Sequence, residues 1–161
     1  MRWLLAALAG AILTACATPT PVPPAPAFYV MRHLNTPAGE RDPDLLPEGR
    51  RLAEVLSERL RRQPPATIFV STFKRTRQTA EPLAARLGLT PIVYDPADTP
   101  GLVARVRAAP GPVLVVGHSN TVPEIVQRLG GERPADLTQP DFGDLWVIQA
   151  SGATARERLG D

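Results

Sequence analysis

Histidine and arginine residues stand at three places where a short apolar run of the sequence has just ended. Arg32 and His33 follow a run that begins at Phe28, Arg75 comes shortly after a second run, and His118 ends a third. Planar guanidinium groups bind phosphoryl oxygens through paired, charge-assisted hydrogen bonds. A neutral imidazole attacks phosphorus when its other nitrogen is held by a hydrogen bond. The four residues therefore predict a phosphate pocket with an imidazole nucleophile.

The alternation of hydrophobic segments predicts the scaffold that positions these residues. From Phe28 onward, short apolar runs alternate with longer amphipathic segments, a pattern typical of parallel strands covered by helices. The sequence predicts strands at 27–32, 67–71, 91–94, 113–117 and 145–149, and helices at 47–62, 74–87, 100–108 and 122–129. We expect an α/β fold, a three-layer α/β/α sandwich whose mostly parallel sheet has its last strand as an antiparallel edge.

Both histidines of the chain, His33 and His118, follow predicted strands. Ligands of open parallel sheets bind beyond the carboxyl ends of the strands, so both imidazoles are expected at one edge. Arg75 falls in the first turn of a predicted helix, where free amides and the helix dipole favour an anion. Two histidines beside arginines, without an obvious carboxylate partner, would bind a cation poorly, so no metal site is expected.

Three sequence blocks carry a family resemblance. They are VMRH at 30–33, STFKRTRQTA at 71–80 and VVGHS at 115–119. In order and spacing they resemble the histidine phosphatase superfamily, and the similarity extends from Phe28 to the C-terminus. The resemblance implies a phosphoglycerate mutase-like fold and a phosphoric monoester hydrolase that needs no metal or organic cofactor.

The resemblance also assigns roles within the pocket. It implies that His33 becomes phosphorylated and that three residues bind the phosphoryl group, namely Arg32, Arg75 and His118. Ser71 and Thr36 are further candidates for contact with the substrate. The expected partner is a small phosphorylated compound.

Two positions depart from the family pattern. Leu34 stands where a small residue is common, and its side chain is expected to narrow the pocket mouth or to reshape the backbone. Ser119 stands where some members have an aspartate as general acid. The other branch of the family takes its acid from the region between the second and fourth strands, where Asp95 and Asp98 are available. We favour Asp95 slightly.

The first residues have the features of an export signal. Arg2 precedes an apolar run, and the sequence Leu13-Thr14-Ala15-Cys16 resembles the lipobox of bacterial lipoproteins. The alternative is an ordinary signal peptide with an incidental cysteine. We therefore expect a small, exported lipoprotein, anchored to a bacterial membrane by a lipid on Cys16 and facing the periplasm where an outer membrane exists. The predicted organisation is a signal peptide at 1–16, a proline-rich tether at 17–27 and one phosphatase domain at 28–161.

Several other functions are less consistent with the sequence. A formal net charge of +2 is too small to indicate nucleic-acid binding. The segment from Gly117 to Thr121 resembles the nucleophile elbow of serine esterases, but no histidine follows Ser119, as chain order in that fold requires. A lipoprotein that binds phosphorylated ligands without catalysis is a second alternative.

The short, proline-rich stretch 95–110 provides little material for a lid, which predicts an open cleft for small or exposed phosphoesters. The sequence leaves the oligomeric state open.

Overall fold

The computed structural model describes residues 26–160, so the predictions for the signal peptide, for Cys16 and for most of the tether lie outside the described part. Within it, six strands and four helices follow one another along the chain. The elements are β1 (Pro26–Arg32), α1 (Pro47–Arg59), β2 (Thr67–Ser71), α2 (Lys74–Leu87), β3 (Ile92–Tyr94), α3 (Thr99–Ala108), β4 (Val113–Gly117), α4 (Val122–Arg128), β5 (Asp144–Gln149) and β6 (Thr154–Arg158).

All strands of the described region form one sheet with the order β3-β2-β4-β1-β5-β6. The pairs β1/β4, β2/β4 and β2/β3 are parallel, whereas β1/β5 and β5/β6 are antiparallel. Strands β2 and β4 are buried along their whole length, because helices cover both faces. The predicted class, an α/β sandwich with a mostly parallel sheet, is therefore confirmed.

Two hydrophobic cores lie on opposite faces of the sheet. On one face the side chains of α1 and α2, such as Leu56 and Leu83, pack with Met31 of β1. On the other face α3 and α4 contribute Leu102 and Ile125. Burial of this apolar surface from both sides fixes the sheet, and with it the level at which each parallel strand ends.

Helix ends agree with the sequence patterns, apart from small shifts. Helix α2 has the predicted bounds and is followed by Gly88, whose φ of +64° is a left-handed value that glycine adopts without strain. Helix α1 ends at Arg59 rather than at residue 62. The amide of Arg61 bonds to the carbonyl of Glu58, three residues back, so the last turn tightens before Pro64.

The prediction for the sheet edge was wrong in one respect. Strand β5 is antiparallel as expected, but it lies between β1 and β6 and is not an edge. The antiparallel edge is β6, and the parallel strand β3 is the opposite edge. The sequence of β6, TARER, lacks the apolar alternation that reveals a half-buried strand. Its arginines, Arg156 and Arg158, pair with the buried carboxylate of Asp144. Charged residues are typical of edge strands, and because of them the sequence pattern did not predict β6 as a strand.

No helix among residues 26–160 is both long and apolar enough to cross a membrane.

Candidate active site

The pairing of β1 with β4 brings the two histidines together. Arg32 lies opposite Gly117 in this parallel pair, and the amide of His33 donates to the Gly117 carbonyl at 2.9 Å. His33 and His118 therefore leave the sheet at the same level, with their ring centroids 5.4 Å apart. A Cβ on Gly117 would lie 3.1 Å from the hydroxyl oxygen of Thr121, which accepts from the amide of His118. Glycine at this position keeps the turn tight.

The backbone fixes the tautomer of His33. Its Nδ1 lies 2.9 Å from the carbonyl oxygen of Leu34. A carbonyl can only accept, so Nδ1 carries the hydrogen and the lone pair of the neutral ring is on Nε2. Helix α2 holds the Leu34 backbone in turn, because the Leu34 amide donates to the Thr79 hydroxyl at 3.0 Å and that hydroxyl donates to the Arg75 carbonyl at 2.7 Å.

Burial keeps this imidazole neutral. Desolvation lowers the pKa of His33 from 6.5 to about 3, although the hydrogen bond to Leu34 acts in the opposite direction. The charges of Arg32 and Arg75 lower the pKa further. A free lone pair on Nε2 is what nucleophilic attack requires, so the ring is in its reactive form at neutral pH.

His118 is held by hydrogen bonds on both of its nitrogens. A guanidinium nitrogen of Arg75 lies 3.3 Å from Nδ1, and the Ser71 hydroxyl lies 2.9 Å from Nε2. Desolvation, followed by the charges of Arg75 and Arg32, lowers the pKa of His118 to about 4. Both imidazoles are thus uncharged, and the positive charge of the site is carried by the two guanidinium groups.

Arg75 projects from the first turn of α2 into the site. Its guanidinium donates to the Arg41 carbonyl at 3.1 Å, stacks on the Phe73 ring at 4.2 Å and lies 3.7 Å from the Asp42 carboxylate. Asp42 also accepts from the amide of Lys74 at 3.0 Å and so caps α2 from a distant loop. The loop before α1 and the start of α2 are therefore joined beside the arginine.

Arg32 is held by a loop near the end of the chain. Its guanidinium donates to the Thr138 and Asp141 carbonyls at 2.6 and 3.2 Å and lies 4.0 Å from the centroid of the Phe142 ring. Its Nε is buried and has no partner within the described residues. A buried, unpaired donor is costly, so a phosphoryl oxygen that accepts from Nε would remove a penalty already present.

The two histidines and two arginines line one cleft of about 650 Å³. Thr36, which the sequence predicted, also lines it. The other lining residues come from loops, and they are Pro37, Ala38, Gly39, Glu40, Pro43, Phe73, Pro96, Ala97, Ser119, Asn120 and Gln139. Within residues 26–160, no three His, Cys, Asp or Glu side chains cluster as a metal site would require.

Three predicted features have another position or role. Asp95 is exposed, accepts from the amide of Ala97 and does not line the cleft, while Asp98 caps α3. Their short side chains bond to the backbone just after them and are held at the surface. The Ser71 hydroxyl lies behind His118 and is fully buried, so it is not in contact with the cleft. The Leu34 side chain does not narrow the mouth, because it packs in the core beneath α1 and α2.

The sequence did not reveal the residues that loops bring to the site. Gln139 and Glu40 line the cleft, and Phe73 and Phe142 support the two guanidinium groups. Phe73 stands within the block STFKRTRQTA, so an aromatic side chain next to the predicted arginine was an available signal. Gln139 and Phe142 follow no motif, since the segment after α4 has neither helical nor strand periodicity.

Together, the fold and the site define an α/β protein in which a cleft at the carboxyl ends of β1 and β4 brings together two imidazoles and two guanidinium groups. A family profile described as histidine phosphatase superfamily (branch 1) matches residues 28–97, which include Arg32, His33 and Arg75 but not His118. A search of curated proteins gave no match.

Solved structures with the same fold include phosphatases. The protein histidine phosphatase SixA, complexed with tungstate, is 21% identical with a TM-score of 0.61, over 81% of this chain and 93% of that one. A SixA-like protein from Agrobacterium tumefaciens is 25% identical with a TM-score of 0.61, over 85% and 96% of the two chains. A mycobacterial glucosyl-3-phosphoglycerate phosphatase in complex with VO3 is 20% identical with a TM-score of 0.61, over 84% and 98%.

The profile match shows that residues 28–97 are similar to histidine phosphatases, and the structural neighbours confirm the predicted phosphoglycerate mutase-like fold.

The depressed pKa values predict a loss of stability in acid. Between pH 3 and 6.5 the unfolded chain protonates His33 but the folded chain does not, so the free energy of unfolding should fall as pH falls through this window, by up to about 1.4 kcal/mol per pH unit for each such histidine. Above pH 6.5 this contribution is fully present. Urea unfolding at a series of pH values should show a shallower slope for His33→Gln than for the wild type. Equal slopes would contradict a neutral, buried His33.

Proposed function

We propose that the protein is a phosphoric monoester hydrolase in which His33 carries the phosphoryl group. Nε2 of His33 attacks phosphorus, a P–N bond forms, and the P–O bond to the leaving group breaks, with the leaving oxygen taking a proton. Water then attacks the phosphohistidine, the P–N bond breaks and inorganic phosphate is released. Arg32, Arg75 and His118 bind the peripheral oxygens during both steps.

The hydrogen bond between Nδ1 of His33 and the Leu34 carbonyl is the observation on which this proposal rests. Nδ1 is committed to this carbonyl, while Nε2 has no hydrogen-bond partner among residues 26–160 and belongs to a residue that lines the cleft. A histidine buried for packing alone would gain from hydrogen bonds on both nitrogens. Here the nucleophilic nitrogen is left free beside two guanidinium groups.

The described cleft offers little for protonating a leaving group. Glu40, which is exposed, is the one carboxylate among its lining residues, and Asp95 is engaged in its own turn. We therefore propose that the enzyme acts on phosphoesters with good leaving groups, whose departing oxygen needs no dedicated acid.

Turnover of p-nitrophenyl phosphate tests the proposed chemistry. His33→Gln should abolish hydrolysis, and Arg75→Gln should lower kcat/KM by about 10² to 10³, because a charged donor to the transition state is lost. Arg77→Gln is the matched control, since Arg77 is exposed on the same helix and does not line the cleft. Its activity should be unchanged.

Two further results would bear on the same proposal. Rapid quenching should trap a base-stable, acid-labile phosphoryl group on the wild-type protein and none on His33→Gln. Saturable phosphate binding without any turnover would instead favour the alternative of a non-catalytic lipoprotein that binds phosphorylated ligands.

The charges around the cleft suggest a class of substrate. Arg32 and Arg75 are the only cationic lining residues in the described part of the chain, and both are needed for the phosphoryl group. The remaining lining residues are neutral, apart from the carboxylate of Glu40. We propose that the leaving group carries no negative charge of its own, because a second anion would find no cation and would face Glu40.

This proposal predicts a difference between phenyl phosphate and para-carboxyphenyl phosphate. Glu40→Gln should raise kcat/KM for the carboxylated compound about twofold to fivefold, as expected for an exposed charge. Each compound is compared between variants, so the different leaving-group acidities of the two phenols do not affect the result. The gain should shrink at high salt. Phenyl phosphate should be unaffected, and a loss of its turnover in Glu40→Gln would instead assign proton transfer to Glu40.

We also propose that the protein is exported and anchored to the membrane by a lipid on Cys16. The support is the sequence around this single cysteine and the proline-rich stretch after it. The seven-residue strand β1 begins at Pro26 and leads to His33, so a tether would enter the domain roughly 20 Å from the cleft. Such an attachment leaves the cleft open to soluble substrates.

Metabolic labelling tests the anchor. When the full chain is expressed in a Gram-negative bacterium, the wild type should incorporate radiolabelled palmitate and sediment with membranes. Cys16→Ser should do neither, because it has no thiol to modify. Unchanged sedimentation and labelling of Cys16→Ser would eliminate the lipoprotein assignment and leave the catalytic proposal untouched.

A further inference from the structure

Behind His118, two buried hydroxyl groups form a chain that does not reach the cleft. Ser71 is the last residue of β2 and Thr76 lies in the first turn of α2, and both are fully buried. The Ser71 hydroxyl oxygen lies 2.9 Å from Nε2 of His118 and 3.0 Å from the Thr76 hydroxyl. The Thr76 hydroxyl lies 2.9 Å from the carbonyl oxygen of Phe73.

The direction of this chain is fixed at both of its ends. Arg75 can only donate, so Nδ1 of His118 accepts and the hydrogen of the neutral ring is on Nε2. At the other end the Phe73 carbonyl can only accept, so Thr76 spends its hydrogen there. Ser71 must then accept from His118 and donate to Thr76. The opposite direction would set two donors against each other at Arg75.

With this direction of hydrogen bonds, the binding of an anion requires a change in the protonation of His118. A phosphoryl oxygen at Nδ1 is an acceptor, so His118 must gain a proton on that nitrogen to bind it. The chain through Ser71 needs no rearrangement, because Nε2 already donates to an acceptor that is buried with it. A hydrogen bond from a charged donor is stronger than one from a neutral donor, so the same bond stabilises the imidazolium more than the imidazole.

We propose that Ser71 and Thr76 are positioning residues that hold the proton of His118 on Nε2 and so make Nδ1 the site that takes up a proton when a phosphoryl group binds. The role of these two residues in turnover rests on the proposed function, whereas the position of the proton on His118 does not. Ser71 therefore acts through His118 and does not touch the substrate.

The charged groups around His118 are consistent with such a switch. Arg75 of α2 and Arg32 at the end of β1 oppose a positive ring, His33 is neutral beside it, and Asp42 in the loop before α1 favours the charged form. An incoming dianion offsets the two guanidinium charges. The balance then moves toward the imidazolium, with Ser71 as its buried acceptor.

The presence of only two histidines makes a direct test possible. Protein labelled with ¹⁵N-histidine, with signals assigned by comparison with His33→Gln, should show His118 protonated on Nε2 alone in the free state. Saturation with sulfate, whose charge is constant over the range of the titration, should add a proton on Nδ1. A free-state hydrogen on Nδ1 would overturn the proposal, whatever the catalytic assays show.

Substitutions along the chain test the role of the hydroxyls. Ser71→Ala should weaken sulfate binding at neutral pH by about tenfold and lower by about one unit the pH at which bound His118 loses its second proton. The basic limb of the kcat/KM profile should shift by the same amount. Thr76→Val should shift it in the same direction, and Thr76→Ser, which keeps the hydroxyl, should restore wild-type behaviour.

A matched control separates this role from general stability. Ser57 is also a fully buried serine with a hydrogen-bonded hydroxyl, but its partner is Arg86, away from the cleft. Ser57→Ala should leave the His118 titration unchanged. If Ser71→Ala does not fold, the Thr76 pair decides the question. Wild-type titration in both Ser71→Ala and Thr76→Val would refute the proposal, whereas normal tautomers without any turnover would refute only the hydrolase assignment.

Discussion

The parallel pairing of β1 with β4 is the constraint on which the site depends. Arg32 lies opposite Gly117, so the residues that follow them, His33 and His118, leave the sheet side by side. On the other side of β4, Val70 lies opposite Val116, which brings Ser71 to the same level. A slip of register would move one imidazole away from the other, and the three residues would no longer lie at the same level. The two hydrophobic cores hold this register from both faces of the sheet.

Electrostatics inside the cleft follows from what that register assembles. The two imidazoles are largely buried beside two guanidinium groups, and this burial keeps the rings neutral. Neutrality gives His33 a free lone pair, and it gives His118 an unprotonated Nδ1 beside Arg75. A phosphoryl group that entered as we propose would meet two guanidinium charges, and Glu40 is the one carboxylate among the lining residues of the described chain. Asp42, at 3.7 Å from Arg75, compensates this charge only at its margin.

The supports of the two arginines differ in origin. Arg75 is held by residues near it on α2 and by the loop before α1, which contributes Asp42. Arg32 depends on a loop more than a hundred residues away, whose carbonyls at Thr138 and Asp141 accept its hydrogens. Backbone carbonyls carry no sequence signature, so this second arrangement had no pattern to be read from. Asp95 differs, because an aspartate whose side chain accepts from the amide two residues on is a pattern of turns, and the Asp95-Pro96 pair was an available signal for it.

The sequence by itself determined the class of fold, the strands that end at the site and the four residues Arg32, His33, Arg75 and His118. Hydrophobic periodicity and residue chemistry are local properties of the sequence, so they can be recognised without knowing which segments are in contact. Only the tertiary structure decided which strands are neighbours, that Ser71 lies behind His118 and that β6 forms the antiparallel edge. These facts depend on contacts between segments that are far apart in the chain, and local periodicity carries no information about such contacts.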